Sequence, residues 1–451
     1  MIESFFVMQW QQLLSDKRLG LEGRHSSSTG GVRTDFERDY DRMVFSSPFR
    51  RLQNKTQVFP LPGNVFVHNR LTHSLEVSCV GRSLGSIITH TLRQRHGSDI
   101  FPTEGAISSI VSAACLAHDM GNPPFGHSGE RAIGAYFSEG NGRIWEEQVR
   151  RENGRWEDFL HFEGNANAFR LLTHQFVGRR PGGFALTYST LASIIKYPHS
   201  SLVAGRKGKF GFFASEEDTM KRIADHLGLI KLSEEPLRYA RYPLVYLVEA
   251  ADDICYQIMD LEDAYKLKIF TERDTTDLLM DYFAPDQRDE IRLVLKCLDD
   301  SNERIAYLRS RVINTLAEAC ADTFLEAEER ILDGSFEGSL IAQISERERS
   351  AYRTCSRLAY ERIYPARDVL DVELAGHQIF GYLIDRLMHA LTHPDYAYSR
   401  SLLSRVSSQY DTHRQDIYGK LQCTLDYISG MTDIYALDLY RKITGMSLPA
   451  I

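Results

Sequence analysis

The chain predicts an all-α fold on two observations. Long stretches repeat apolar residues at close to a 3.6-residue period, and segments with strand-like alternation are few. An average globular domain holds about a fifth to a quarter of its residues in strands, so their scarcity across 451 residues is a signal in itself. A content of 43% hydrophobic and 25% charged residues is ordinary for a water-soluble globular chain of a length that can bury a large core.

Residues 1–20 predict a short helix. Residues 20–34, with Gly20, Gly23, Ser26, Ser27, Ser28, Gly30 and Gly31, predict a flexible loop. Leu71–Arg95 is an amphipathic helix with its apolar face at Leu71, Leu75, Val77, Val80, Leu84, Ile87 and Ile88. Ala106–His118 is small and apolar on nearly all sides, which predicts a central buried helix. It stops at Gly121 and the Pro123-Pro124 pair, which cannot continue a helix. Tyr242–Tyr265 is a third long helix, with Pro243 near its first turn. Segments 286–335, 337–363, 366–392 and 401–428 are helical in pattern. The strand candidates are short: Gln57–Phe59, Val65–Val67 and Phe210–Phe213. Residues 195–240 are richer in Gly and Lys and read as an irregular excursion between core helices. These elements divide the chain at 1–34, 35–270 and 271–451.

A net charge of −8 and a pI near 6.0 exclude a generally basic surface for coating nucleic acid, though a local basic groove remains compatible. The seven cysteines, at 79, 115, 255, 297, 320, 355 and 423, form no CxxC pair and fit reduced, buried thiols in a cytosolic protein. Phe5, Phe6, Val7 and Met8 follow no basic region, so no signal peptide is expected. No stretch reaches the ~20 apolar residues that span a bilayer.

The chemistry gathers around His73, the adjacent pair His118-Asp119, and Asp252. Two imidazoles and two carboxylates can hold a divalent ion while leaving positions for water and a substrate oxygen. The mixed N/O set suits Mn, Mg, Fe, Ni or Zn, and the lack of cysteine ligands argues against a closed structural zinc site. Taken singly, each residue has an ordinary structural reading: a cap, a helix end, an exposed acid. The joint pattern on three apolar helices favours a metal site.

Beyond the Pro-Pro turn, His127 and Glu130 are three residues apart, a spacing that lets a carboxylate fix an imidazole for acid–base work. A structural histidine in a tight turn has the same spacing. Asp252, Tyr256 and Asp260 are i, i+4 and i+8, and so share one helix face. That face suits a metal ligand followed by two sugar-contacting groups, or a core tyrosine followed by a solvated acid. Arg70, three residues before His73, has the fork geometry for phosphate. Lys196 and Lys209 add cations in the loop-rich excursion. Neither GxxxxGK[ST] nor GxGxxG occurs, so phosphate recognition would fall to the metal and to cations.

Several stretches together resemble the HD-domain deoxynucleoside triphosphate triphosphohydrolases, most closely the bacterial dGTPase type. They are Arg50-Arg51-Leu52-Gln53-Asn54-Lys55-Thr56-Gln57-Val58-Phe59, Arg70 through Val77, His118 through Glu130, Phe162 through Ala166, Glu249 through Asp263, and Asp426 through Asp433. They span nearly the whole chain. The resemblance implies an HD-domain helical core with added C-terminal helices and a few short strands. It makes 35–270 the metal-dependent catalytic core and 271–451 a helical region that packs on it and completes the pocket.

The family cleaves a dNTP between the 5′ oxygen and the α-phosphorus, giving a deoxynucleoside and tripolyphosphate. The resemblance gives His73, His118, Asp119 and Asp252 the metal, and makes His127 and Glu130 the catalytic pair. Gln57 and Asp260 sense the sugar with Tyr256 closing the space beside it, while Arg70, Lys196 and Lys209 contact phosphate. It implies a homo-oligomer of four or six copies in the cytoplasm, no membrane association, and single-stranded DNA as a partner of some relatives. A broad dNTP triphosphohydrolase activated by dNTPs is one alternative. An HD-type phosphodiesterase or nucleotide phosphatase is another. A nucleic-acid-binding or regulatory protein with a vestigial site is the third, and the complete ligand set argues against it.

Overall fold

A computed structural model describes residues 7–23, 33–57, 67–100, 105–364 and 367–447. The fold is helical: among the described residues there are twenty-one α-helices and two short strands.

The central helix, Ala106–Ala117, is buried along its length except at Ser109. With no polar face to solvate, it must be wrapped. The helices Asp35–Val44, Arg70–His96, Tyr188–Ile194 and Val245–Lys266 pack around it. The Arg70–His96 helix begins in a capping box: the Asn69 side chain accepts the Thr72 N–H at 3.0 Å and the Thr72 hydroxyl accepts the Asn69 N–H at 3.2 Å. Such a cap is worth ~1 kcal/mol, and it fixes where Arg70 and His73 enter the core.

A second apolar cluster joins the Gly126–Ser138 helix to the C-terminal helices Arg367–Thr392, Ile417–Ser429 and Asp433–Ile443. The turn carrying His118 through His127 therefore runs between the two cores. Gly121 in this turn has no room for a side chain, since a Cβ there would lie 2.1 Å from the Gly164 carbonyl oxygen.

The structure differs from the sequence expectation in several places. The N-terminal helix is a single turn, Trp10–Leu13, and the rest of 7–23 runs as a strap. Its Arg18 pairs with Asp35 and with buried Asp39. Part of the 20–34 loop, much of the Gln57–Phe59 candidate and most of Val65–Val67 lie outside the described residues.

Phe210–Phe213 is no strand. Phe210 and Phe213 pack into a small cluster with Ala166 and Ala204, and Phe212 makes only an isolated bridge to Ser200. Apolar content, rather than pairing, explains that pattern. The actual strands, Lys231–Ser233 and Arg238–Tyr239, form an antiparallel hairpin too short to show alternation. The excursion 195–240 also holds a regular helix, Glu217–Leu227.

Segment 286–335 is three helices, Pro285–Leu295, Ser301–Glu326 and Glu328–Leu332. The middle one restarts at Asp300, whose side chain caps the Asn302 and Glu303 N–H groups. Segment 337–363 contains the helix Glu346–Leu358, continued by a wider turn to Ile363. Segment 401–428 breaks after Leu403 and resumes at Ile417 under an Asp416 cap. Cys79 and Cys297 are exposed, while the other five thiols are buried. No described helix is long and apolar enough to cross a membrane.

Candidate active site

Two helices and the turn that ends a third deliver the donors. His73 comes from the first turn of Arg70–His96, Asp252 from the second turn of Val245–Lys266, and His118-Asp119 from the end of the central helix. His73 Nε2 lies 3.0 Å from Asp252 Oδ1, His118 Nε2 lies 3.4 Å from the same oxygen, and His118 Nε2 is 3.7 Å from Asp119 Oδ1. Donor atoms of His73, His118 and Asp119 all lie within 4.8 Å of one another. Four residues spread over about 180 positions thus share one spot.

The donor set fits a cation. His118 Nδ1 donates to the Cys115 carbonyl at 2.6 Å, which turns Nε2 toward the other donors. That Nε2 and Asp119 Oδ2 are buried without a hydrogen-bond partner, and such orphan atoms are costly unless something unseen binds them. Burial opposes a charge on His118, but Asp119 and Asp252 outweigh it and push the imidazole up to about 9. Asp119 is driven up by burial, yet Arg70, His118 and His73 hold it below its usual value.

His127 and Glu130 form a pair on the other side of the turn. His127 Nδ1 lies 2.7 Å from Glu130 Oε2, and Glu130 Oε1 accepts the Gly164 N–H at 2.8 Å. Burial raises Glu130, but His127, Lys209 and the Gly164 N–H hold it ionised. The Glu130 carboxylate is buried while the His127 side chain is 61% exposed, so the ring is held from behind and free in front.

His118, Asp119, Asp252 and the His127–Glu130 pair line one cavity of about 270 Å³, with Gln57, Arg70, Lys196, Lys209 and Tyr256 among its walls; His73, 3.0 Å from Asp252, is not one of its lining residues. Its size is near the lower end of small-ligand sites, about 300–1,000 Å³. At the His127 end it shares walls with a second cavity of about 550 Å³.

Each predicted cation has a carboxylate partner. Arg70 Nη1 donates to Asp119 Oδ1 at 2.7 Å, Lys196 Nζ lies 3.2 Å from Glu249, and Lys209 Nζ lies 2.7 Å from Glu163. Arg70 is close-packed as well: a Cβ on Gly126 would lie 2.6 Å from its Nη2.

The sugar-sensing residues divide. Gln57 reaches the cavity with Oε1 buried and unpartnered. Tyr256 stands edge-on to His73, with ring centroids 6.3 Å apart. Asp260 is buried but is not among the residues lining the cavity. It accepts a hydrogen bond from the Tyr364 hydroxyl at 2.8 Å, and burial pushes its carboxyl up to about 8. Among the described residues, no side chain beyond Tyr256 lines the cavity, so the C-terminal region reaches the site indirectly.

Sequence reasoning singled out none of Tyr364, Glu163, Lys55 or Asp433. Lys55, Glu163 and Asp433 lie inside the stretches that carried the resemblance. Lys55 is 2% exposed, and a buried lysine is rare enough to have been a signal only once its burial was known.

The chain also matches known proteins in sequence. Residues 70–265 match the HD domain and residues 342–442 match the phosphohydrolase-associated domain. The chain is 37% identical over 452 residues to a deoxyguanosinetriphosphate triphosphohydrolase-like protein of Pseudomonas aeruginosa (strain LESB58), covering 98% of this chain and all of that one. It is 38% identical over 459 residues to a protein of the same description from Synechocystis sp., with the same coverage. It is 30% identical over 514 residues to the deoxyguanosinetriphosphate triphosphohydrolase of Cronobacter sakazakii, covering 94% of this chain and 97% of that one.

Proposed function

The chain belongs to the deoxyguanosinetriphosphate triphosphohydrolase-like family of HD-domain hydrolases, and we propose that it cleaves a 2′-deoxynucleoside triphosphate, dGTP foremost, to the deoxynucleoside and tripolyphosphate. The observation that carries this reading is one cavity that holds the His118-Asp119 donors, the His127–Glu130 pair and three cations.

His73, His118, Asp119 and Asp252 would hold one divalent ion, Mn²⁺, Mg²⁺ or another transition metal. Such an ion, when bound, draws charge from the α-phosphate and lowers the pKa of a water beside it. Arg70, Lys196 and Lys209 offset the triphosphate charge. Their present partners Asp119, Glu249 and Glu163 hold them in place between turnovers.

A water oxygen forms the new bond to the α-phosphorus and releases one proton to solvent, the electron pair of the P–O5′ bond passes to the 5′ oxygen, and His127 regains a proton from solvent after the step. His127 donates the proton that this oxygen needs from Nε2, since Nδ1 faces Glu130. Glu130, ionised and fixed by Gly164, supports the imidazolium until transfer. Gln57 offers its unpartnered Oε1 to a sugar hydroxyl, and Tyr256 fills the space a 2′-hydroxyl would need. In this reading 35–270 is the catalytic core and 271–451 supports it. The protein is cytoplasmic and assembles as four or six copies, with single-stranded DNA as a further partner.

The test is to incubate the purified protein with each of the four dNTPs and with GTP, separately and mixed, with Mn²⁺ or Mg²⁺, and to identify the products. Intact tripolyphosphate with deoxynucleoside is the expected result. Release of orthophosphate or pyrophosphate would move the protein to the phosphatase or phosphodiesterase class.

A further inference from the structure

The turn from His118 to His127 is held from outside the catalytic core. Phe125 has a left-handed backbone, φ 63°, two residues before His127. A non-glycine residue there is strained and persists only when its surroundings impose it. Asp433 holds the N–H of this residue. Its Oδ1 accepts the Phe125 N–H at 3.0 Å and its Oδ2 accepts the Thr56 N–H at 2.9 Å. One carboxylate thus grips the residue two before His127 and the residue next to Gln57, on two different walls of the cavity. Lys55 repeats the arrangement with opposite sign. Its Nζ donates to the carbonyls of Asn122, in the turn, and Ser429, at the end of the Ile417–Ser429 helix. Both side chains are buried, and neither lines the substrate cavity.

We propose that Asp433 and Lys55 are positioning residues: a brace through which the C-terminal helices set the geometry of the His127 turn and the Gln57 wall together. A buried carboxylate with both oxygens on backbone N–H groups makes charge-assisted bonds roughly twice as strong as neutral ones. Burial lowers Lys55 to about 7, and its Nζ donates to the two backbone carbonyls whether or not it carries the charge. The four contacted peptide groups lie on the turn, the Thr56 segment and the C-terminal helix end. The brace therefore couples three chain segments that share no sequence neighbourhood. It rests on the reading of His127 and Gln57 as site residues.

The test is Asp433→Asn, which keeps the volume but turns an NH₂ donor toward one of the two N–H groups. Hydrogen exchange should speed up in residues 120–127 and around Thr56 while the core helices stay protected and Mn²⁺ still binds. Displacing a catalytic group by about 1 Å costs ~100-fold, so kcat should fall by roughly 10–100-fold. Asp433→Glu, which keeps both acceptor oxygens, should recover part of that loss. Lys55→Met should loosen the same turn, and it carries the test if Asp433→Asn does not fold. Asp385→Asn is the control: this carboxylate of the C-terminal region accepts from Tyr136 and Asn141 instead, and kcat should stay unchanged.

Unaltered exchange in 120–127 would overturn the proposal. Loss of protection spread evenly over the chain, with Mn²⁺ lost as well, would also overturn it and leave Asp433 a plain fold residue. The exchange measurement needs no substrate. If the unmodified chain hydrolyses no dNTP, the functional reading falls while the exchange result still decides the brace.

Discussion

His118 Nδ1 lies 2.6 Å from the carbonyl oxygen of Cys115, three residues back on the central helix. That bond orients the ring and dedicates Nε2 to the cavity, where Asp252 Oδ1 stands 3.4 Å away. With two carboxylates nearby the ring holds a proton up to about pH 9, against the pull of burial. A cation must displace that proton. Affinity for Mn²⁺ should therefore weaken as pH falls below about 9. His118→Ala should lower bound metal by at least about tenfold, the scale on which even supporting residues act. Isothermal titration with Mn²⁺ at several pH values checks both. Affinity that does not change between pH 6 and 9 would count against His118 as a ligand.

His127 behaves differently because its ring is mostly in solvent and touches the protein through Glu130. His127→Ala should leave stability and bound Mn²⁺ nearly unchanged and lower single-turnover hydrolysis by ~10²–10⁴-fold, the usual contribution of a general acid. Glu130→Gln should give a smaller loss, since the ring stays placed but its imidazolium is less supported. Near-normal turnover in His127→Ala removes it from the mechanism, and lost metal recasts it as a ligand.

The helices that build the site are the most legible part of the sequence, because each is periodic or uniformly apolar over several turns. Leu71–Arg95 is observed as Arg70–His96, and Ala106–His118 as Ala106–Ala117. Where short polar caps interrupt apolar runs, as at Asp300 and Asp416, periodicity carries across the break and the boundaries are missed. The His118-Asp119 and His127/Glu130 pairs are legible because both partners are local. Asp433 is not. Its neighbour Thr432 marks only a helix start, and the two N–H groups it accepts lie 377 and 308 positions away. Tyr364 is hidden for the same reason, 104 positions from the Asp260 carboxyl it meets.

Sugar discrimination should depend on Tyr256 and Tyr364 together. Their rings lie 6.5 Å apart, and the Tyr364 hydroxyl donates to Asp260. Tyr256→Ala opens the space beside the sugar, so the preference for dGTP over GTP in kcat/KM should fall by roughly tenfold or more, the worth of about 1.4 kcal/mol. Tyr364→Phe leaves the rings packed but frees the Asp260 carboxyl, and should weaken discrimination less. Competition between dGTP and GTP measures both. Unchanged preference in Tyr256→Ala would remove it from ribose recognition.

Stability should depend on pH through His68. Its Nδ1 lies 2.8 Å from Asp263 and its Nε2 lies 3.3 Å from Glu76, tying the entry of the Arg70–His96 helix to the Val245–Lys266 helix. Burial opposes protonation, but the two carboxylates outweigh it and push the ring up to about 10, against 6.5 ordinarily. The folded value is raised, so the stabilisation is complete below about pH 6.5 and is lost as pH rises through about 10. His68→Gln should cost a few kcal/mol, on the order implied by the shift, at pH 6. The gap to the unmodified chain should narrow towards pH 10. Urea unfolding of both at pH 6, 8 and 10 checks the trend, and a gap that widens with pH contradicts it.

Gly126 offers the sharpest test of how tightly the turn holds Arg70. Its φ of 56° lies in the left-handed region, and a Cβ would stand 2.6 Å from Arg70 Nη2. The backbone strain of an alanine there is of order 1 kcal/mol. The steric effect matters more, because Arg70 must move and its Nη1 bond to Asp119 must lengthen. Breaking a buried pair outright costs ~3–5 kcal/mol, so a partial displacement should cost less than that in stability. Gly126→Ala should therefore stay folded, bind Mn²⁺ less tightly through a disturbed Asp119, and raise KM for dGTP as Arg70 leaves the phosphate's path. A variant with unchanged KM and unchanged Mn²⁺ affinity would show that Arg70 can shift without consequence, and would remove it from substrate recognition.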